Sequence, residues 1–261
     1  MKKIEGKLSK AVRDANEKGR LGLIIYVVPA YPNMQRYNEV RELLSKKEFV
    51  SIIEHTIPVD SSYETANKTI INAHKTALNN IKEEEIADTL ATKQPNILVL
   101  YKQSVEKMGL ENLIERYSEP LDAVLLEWED EKPEIYYEAF EKAGVENIFV
   151  VYPNMPKEEF DKVVKIAPKE AQIYLSCSSM TGGEMESLED IKNCAKETKK
   201  QRPDTTIIAG MGIKNSDDIK ILSPIKEIDG IVIGTSFIKL LDEDDNKINE
   251  FLSEIEKALY R

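Results

Sequence analysis

The sequence predicts an α/β protein, a single (β/α)8 TIM barrel over residues 1–261 with an N-terminal helix that caps one end. Eight short apolar runs recur along the chain, as expected for strands that are buried on both faces. Helical segments separate these runs, which indicates parallel βαβ units. The length of 261 residues suits eight such units. An open doubly wound sheet is the alternative, but no GxGxxG motif follows the first strand.

The predicted strands are rich in branched residues and are bounded by turn residues. In chain order they lie at Leu21–Val28, Phe49–His55, Asn96–Tyr101, Ala123–Glu127, Asn147–Tyr152, Gln172–Cys177, Thr206–Gly210 and Gly230–Gly234.

Helical patterns fill much of the sequence between the strands. The predicted helices lie at Ile4–Lys18, Asn33–Ser45, Thr69–Ile81, Lys157–Ile166, Asn215–Leu222 and Lys247–Tyr260. Asn33 is a good N-terminal cap, and Pro156 suits the first turn of the helix that follows it. The first helix is expected to close the bottom of the barrel. A long loop, Pro58–Lys68, follows the second strand and is expected on the catalytic face.

The overall charge argues against some classes of partner. Lysine and arginine number 36 and aspartate and glutamate 47, so the net charge is 36 − 47 = −11. No basic stripe compensates, which disfavours a nucleic acid or an anionic membrane. Two cysteines, Cys177 and Cys194, fit a reducing cytoplasm and lack metal-ligand spacing. No signal peptide is expected, and neither a metal nor another cofactor.

Glu54 is the main catalytic candidate because it stands near the end of the second strand. Alternation places Ile52, Glu54 and Thr56 on one face of that strand and His55 on the other. A carboxylate inside a barrel mouth is desolvated, its pKa rises, and it can exchange protons with a substrate. The alternative is a glutamate in a salt bridge at the rim.

Three turns that contain glycine follow strands six, seven and eight. Glycine lets backbone N–H groups approach an anion, and barrels often bind phosphate at the last two of these loops. The alternative is that the turns only require a positive φ. Tyr26, Tyr101 and Tyr174 are expected either to line the site or to pack in the core. The expected substrate-binding residues are Tyr101, Tyr174, Thr181, Gly182, Gly183, Gly212, Gly234 and Thr235.

Two histidines are expected to have structural rather than catalytic roles. His55 is predicted to pack among hydrogen-bonding groups on the helix-facing side of the second strand. His74 lies in a helical pattern and is predicted either at the surface or in a layer behind the site.

Several segments, in order along nearly the whole chain, resemble the α subunit of tryptophan synthase. The first strand and its loop, YVVPAYPN, are similar to an aromatic-apolar run that ends in YPD. EHTIP is similar to the family motif ELGVP, and TIINA to TIQNA. Near the C-terminus, SMTG is similar to GVTG, GMGIK to GFGIS, and DGIVIGTS to DGxIVGSA.

The resemblance implies cleavage of indole-3-glycerol phosphate to indole and glyceraldehyde 3-phosphate. It implies that Glu54 is the catalytic acid and base. It also implies a second carboxylate that supports the indole N–H, and transfer of indole to a β-type partner subunit. The phosphorylated substrate is then expected at the three glycine turns.

Two loops depart from the pattern of the family. Its second acid lies in FSDPxADGP, which VDSSYETANK at 59–68 replaces, so Glu64 or Asp60 is expected to supply that acid. Its DLP after strand four is replaced by Glu127-Trp128-Glu129-Asp130. Two other hypotheses therefore stay open. In the first, the chain is a relative that acts on a different phosphorylated molecule. In the second, it is a catalytically weak subunit that binds a partner.

Overall fold

The computed structural model describes residues 6–60, 66–128 and 132–261. In this part of the chain, parallel strands pair in sequence order, and β8 pairs with β1 to close the barrel. The predicted (β/α)8 barrel is therefore confirmed. The strands are β1 Gly22–Tyr26, β2 Val50–Thr56, β3 Asn96–Leu100, β4 Ala123–Leu126, β5 Glu146–Val151, β6 Gln172–Ser176, β7 Thr206–Gly210 and β8 Gly230–Ile233.

The helices lie around the barrel, and a 3-10 turn at Glu83–Glu85 precedes α4. None of the helices in the described ranges is both long enough and apolar enough to cross a membrane. The helices are α1 Lys7–Glu17, α2 Met34–Ser45, α3 Lys68–Leu78, α4 Ile86–Leu90, α5 Lys102–Met108, α6 Leu110–Tyr117, α7 Glu134–Lys142, α8 Lys157–Ile166, α9 Leu188–Gln201, α10 Ser216–Leu222, α11 Thr235–Leu240 and α12 Asp245–Leu259.

Burial on two faces explains why the strands read as continuous apolar runs. Every residue of β1, β2, β3 and β4 is buried. Along β4, Ala123 and Leu125 join the larger apolar cluster inside the barrel, whereas Val124 and Leu126 join a cluster under the helices. The alternation of side chains in a strand therefore decides which residues reach the barrel interior.

Helix α1 closes the bottom of the barrel, as predicted. Leu8 and Val12 are fully buried there. Val12 packs against Gly22 at the start of β1, where an added Cβ would lie 3.3 Å from the Val12 backbone. The predicted residue Ile4 lies outside the described ranges, and the helix begins at Lys7.

Side-chain caps move two other helix boundaries away from the prediction. Asp244 accepts hydrogen bonds from the N–H groups of Asn246 and Lys247, so α12 begins at Asp245 rather than at Lys247. Asn67 caps α3, so this helix begins at Lys68 rather than at Thr69; its other end lies at Leu78 rather than at Ile81. Helices α4 to α7, α9 and α11 have no counterpart among the predicted segments.

Candidate active site

A cavity opens at the carboxyl ends of the strands, on the face where barrel enzymes keep their active sites. Seven of the predicted site residues, together with Glu54, contribute to its wall. The lining residues in the described part of the chain are Tyr26, Glu54, Ile70, Val99, Tyr101, Leu125, Glu127, Tyr174, Thr181, Gly182, Met211, Gly212, Ile213, Val232, Gly234 and Thr235.

Glu54 is held inside this cavity by β2. Its side chain is 4% exposed, and no described group forms a hydrogen bond with its Oε1 atom. Burial, with a smaller contribution from the negative charge of Glu127, raises the pKa of Glu54 to about 8. Glu54 therefore holds a proton near neutral pH and can donate it to a bound molecule. The predicted alternative, a salt bridge at the rim, is wrong.

Glu127 is a second carboxylate in the cavity wall that the sequence reasoning missed as a site residue. It follows β4, and its backbone N–H donates to the carbonyl of Leu100 at 3.0 Å, which continues the strand pairing by one residue. It shares the inward face of β4 with Ala123 and Leu125. The signal that selected Glu54, a carboxylate at the end of a buried strand, was also present at Glu127.

Tyr174, which is on β6, lies next to the carboxyl groups of both Glu54 and Glu127. Burial, and after it the charges of Glu54 and Glu127, raise the pKa of Tyr174 well above its usual value, so its hydroxyl stays protonated. Gly210 makes room for this ring, because a Cβ at position 210 would lie 2.0 Å from the tyrosine oxygen. The glycine that ends β7 is thus required by packing.

His74 lies behind the cavity wall and connects two of its elements. Its Nδ1 accepts the N–H of Val59 at 3.2 Å, so the ring proton lies on Nε2, which is 3.0 Å from the Tyr26 hydroxyl. Burial lowers the pKa of His74 to about 3, so the ring is neutral. It also contacts Tyr101 edge to face. Of the two predicted positions, the surface one is wrong.

His55 faces away from the cavity, as predicted. It is fully buried, and its Nδ1 lies 3.2 Å from the hydroxyl of Tyr37 on α2.

The glycines of the last three loops have different structural reasons. Gly182 and Gly212 have φ values of 63° and 78°, so both need the left-handed conformation that glycine adopts easily. Gly234 has a φ of −116°. A Cβ at Gly234 would lie 3.5 Å or farther from its nearest neighbours, which are atoms of Tyr26. The predicted alternative, that the turns require a positive φ, therefore explains Gly182 and Gly212 but does not explain Gly234.

Asn67 joins three loops at the edge of the cavity, a role that no local sequence pattern indicates. Its side-chain Oδ1 caps α3 by accepting the N–H groups of Thr69 and Ile70. Its Nδ2 donates to the Thr181 carbonyl at 2.7 Å and lies 3.1 Å from the Thr235 hydroxyl. One side chain therefore holds the start of α3 against the loops after β6 and β8.

Two of the predicted site residues do not join this group, and a third lies outside the described ranges. Asp60 is exposed and is absent from the cavity wall. Gly183 also lies outside the wall, and an added Cβ there would meet Ser178 and Met180 of its own loop. Glu64 falls outside the described residues. Within residues 6–60, 66–128 and 132–261, no cluster of histidine, cysteine and carboxylate side chains could hold a metal ion.

Comparisons with known proteins agree on one family. A family model described as tryptophan synthase alpha chain matches residues 12–259. A tryptophan synthase alpha chain of Methanocaldococcus jannaschii is 25% identical over 250 residues, which cover 92% of this chain and 87% of the relative.

Solved structures show the same fold at low sequence identity. A structure of Mycobacterium tuberculosis tryptophan synthase superimposes with a TM-score of 0.85 at 16% identity, covering 98% of both chains. A chain of the tryptophan synthase complex of Pyrococcus furiosus gives a TM-score of 0.73 at 22% identity, covering 92% of this chain and 98% of its own.

Proposed function

This chain belongs to the tryptophan synthase alpha chain family, whose members are lyases that cleave indole-3-glycerol phosphate, and we propose that Glu54 is its catalytic acid and base. The single observation that carries the proposal is a buried carboxyl with a raised pKa and an unpaired Oε1 in the wall of the cavity. Perturbed carboxyls in a cavity are typical of groups that exchange protons with a substrate.

The reaction needs one proton to move between two substrate atoms. Protonated Glu54 donates to C3 of the indole, which weakens the bond from C3 to the glycerol chain. As that carbon–carbon bond breaks, its electron pair restores the indole ring. The adjacent glycerol hydroxyl becomes the aldehyde and returns its proton to the Glu54 carboxylate. The products are indole and glyceraldehyde 3-phosphate, and Glu54 ends in the state in which it began.

The substrate phosphate is assigned to the loops after β6, β7 and β8. Gly182, Gly212 and Gly234 bring backbone to the cavity wall, and Thr181 and Thr235 bring hydroxyl groups. The described wall contains no lysine or arginine, and the chain carries a net charge of −11. Backbone N–H groups and hydroxyls are therefore the donors that remain for a phosphate dianion.

Association with a β-type subunit is also proposed. A structural neighbour from Pyrococcus furiosus is named as a tryptophan synthase complex. In such an assembly the β-type subunit would use indole, the apolar product, as its substrate. The proposal is tested by mixing this chain with a tryptophan synthase β chain and measuring the mass of the assembly. A mass equal to that of the separate chains would contradict it.

The main test compares indole release from indole-3-glycerol phosphate by the wild type and by Glu54→Gln. Glutamine keeps the size of the side chain but cannot exchange the proton, so kcat is expected to fall by at least about 1,000-fold. A non-cleavable analogue, 3-(indol-3-yl)propyl phosphate, is expected to bind both proteins with similar affinity. Wild-type binding of the analogue without indole release would overturn the proposed reaction. Full activity of the variant would overturn the role of Glu54.

A further inference from the structure

Two carboxylates, rather than one, reach the cavity from the ends of strands. Glu54 enters from β2 and Glu127 from the end of β4. We propose that the Glu127 carboxylate accepts the indole N–H of the substrate and stabilises the positive charge that forms on the ring during cleavage. This inference rests on the proposed function, because it assigns a second residue to the same reaction.

The chemistry of the ring creates the need for a second carboxylate. Protonation at C3 removes that carbon from the aromatic system and places positive charge on the ring nitrogen. A carboxylate that accepts the N–H stabilises this state more than the neutral substrate, and such differential stabilisation accelerates the reaction. Glu54 cannot serve both atoms, since it must hold the proton that C3 receives.

The described part of the loop after β2 does not supply this group. Asp60 is exposed and lies outside the cavity wall. Ala66, the next described residue, has no polar side chain and is buried in the apolar cluster. Glu127, in contrast, lies in the cavity wall within the described chain.

The position of Glu127 matches the end of the cavity where the ring must lie. In the closed order of eight strands, β4 lies across the barrel from β8, whose following loop contains Gly234 and Thr235. A substrate with its phosphate at that loop extends its other end toward β4. Apolar side chains of Ile70, Val99 and Leu125 line the same wall as Glu127. They offer a surface for the flat faces of an indole, while the carboxylate meets its N–H edge.

The two carboxylates also influence each other in a way that separates their roles. The negative charge of Glu127 contributes to the raised pKa of Glu54. Glu127 therefore helps to keep the proton on Glu54 that C3 requires. Neighbouring carboxyl groups with different environments commonly divide into one proton donor and one charged stabiliser.

The test uses Glu127→Gln, with Asp60→Asn and Glu64→Gln as matched variants in the loop after β2. In each case the amide replaces the carboxylate without a change in size. Glu127→Gln is expected to lower kcat/KM for indole-3-glycerol phosphate by about 100-fold or more, mostly through kcat. The two loop variants are expected to stay within about threefold of the wild type, because the proposal assigns the charge that faces the ring nitrogen to Glu127.

The pH profile separates this role from a merely structural one. Activity of the wild type is expected to fall as pH rises through the pKa of Glu54, about 8. Removal of the neighbouring charge moves this fall to lower pH in Glu127→Gln. A loss of activity with an unchanged profile would overturn the proposal, as would a Glu127→Gln variant within threefold of the wild type. A large loss of activity in Glu64→Gln alone would also overturn the proposal, because it would assign the second carboxylate to Glu64 in the loop after β2.

Binding of 3-(indol-3-yl)propyl phosphate distinguishes this failure from others. Glu127→Gln is expected to retain most of the affinity of the wild type, because the positive charge forms only during cleavage. Loss of the thermal transition of the protein would instead assign Glu127 a folding role and overturn the proposal. If the wild type itself releases no indole, the proposed function fails rather than the assignment of Glu127 within it.

Discussion

The buried carboxyl of Glu54 makes folding depend on pH. Its pKa is 4.5 when exposed and about 8 in the folded chain, because burial disfavours the charged form. The folded state therefore binds this proton more tightly than the unfolded state. The resulting stability is fully present below pH 4.5 and is lost as pH rises to about 8.

Glu54→Gln is expected to be more stable than the wild type, and increasingly so at higher pH. Between about pH 5 and pH 9 the difference in the free energy of unfolding is expected to grow by on the order of 3 kcal/mol. Urea unfolding of both proteins at the two pH values measures it. Glu127→Gln should show part of the same increase in stability at high pH, because it removes one cause of the raised pKa of Glu54. If the difference in unfolding free energy between Glu54→Gln and the wild type does not vary with pH, the pKa of Glu54 is not raised in the folded chain.

A charge at Gly234 is expected to abolish binding of the phosphate. An added Cβ at this position would lie 3.5 Å or farther from its nearest neighbours, so the pocket has room for a small side chain. Gly234→Ala therefore serves as the control for size, and Gly234→Asp adds a negative charge beside the anion. We expect the aspartate to weaken binding of 3-(indol-3-yl)propyl phosphate by at least about 100-fold more than alanine does. Equal affinities, measured by calorimetry, would refute the assignment of the phosphate to this loop.

At the scale of elements, Asn67 connects the start of α3 to the loops after β6 and β8. Asn67→Ala removes a helix cap and is expected to lower the free energy of unfolding by about 1 to 2 kcal/mol. It also releases Thr181 and Thr235, which line the cavity, so KM for the substrate is expected to rise.

Asp244→Ala is the matched control for the loss of a cap. Asp244 accepts two N–H groups at the start of α12, as Asn67 does at the start of α3, but α12 contributes no residue to the cavity wall. It is expected to lose a similar free energy of unfolding without a change in KM. If both variants leave KM unchanged, Asn67 is only a cap.

The strands could be predicted from the sequence more fully than the cavity. Residues buried on both faces, such as Ile52 and Ile53 in β2, produce an apolar run that can be read locally. The bridge from Asn67 to Thr181 and Thr235 joins residues 114 and 168 positions apart, and no local pattern encodes it. Glu127 also stands at the end of a buried apolar run, but the family motif has its second acid in the loop after β2, so the resemblance predicts that acid there and not at Glu127.

At the scale of the whole molecule, stability at the bottom of the barrel and chemistry at its top are separate. Helix α1 crosses the bottom of the barrel and contacts several strands or the residues just before them. Its Ser9 hydroxyl donates to the Glu170 carbonyl at 2.6 Å, and Asn16 donates to the Asp229 carbonyl at 2.8 Å. The residues of α1 contribute nothing to the described cavity wall. Substitutions in this helix should therefore change folding without changing catalysis.

Val12→Ala tests this separation. Val12 is fully buried against Gly22, so loss of its two methyl groups leaves a cavity at the start of β1. The free energy of unfolding is expected to fall by about 2 kcal/mol, measured by urea unfolding. Because Tyr26 and the cavity lie at the opposite end of β1, kcat and KM are expected to stay within about twofold of the wild type at a temperature where the variant is folded. A large change in KM would show that the packing of α1 is transmitted along β1 to the site.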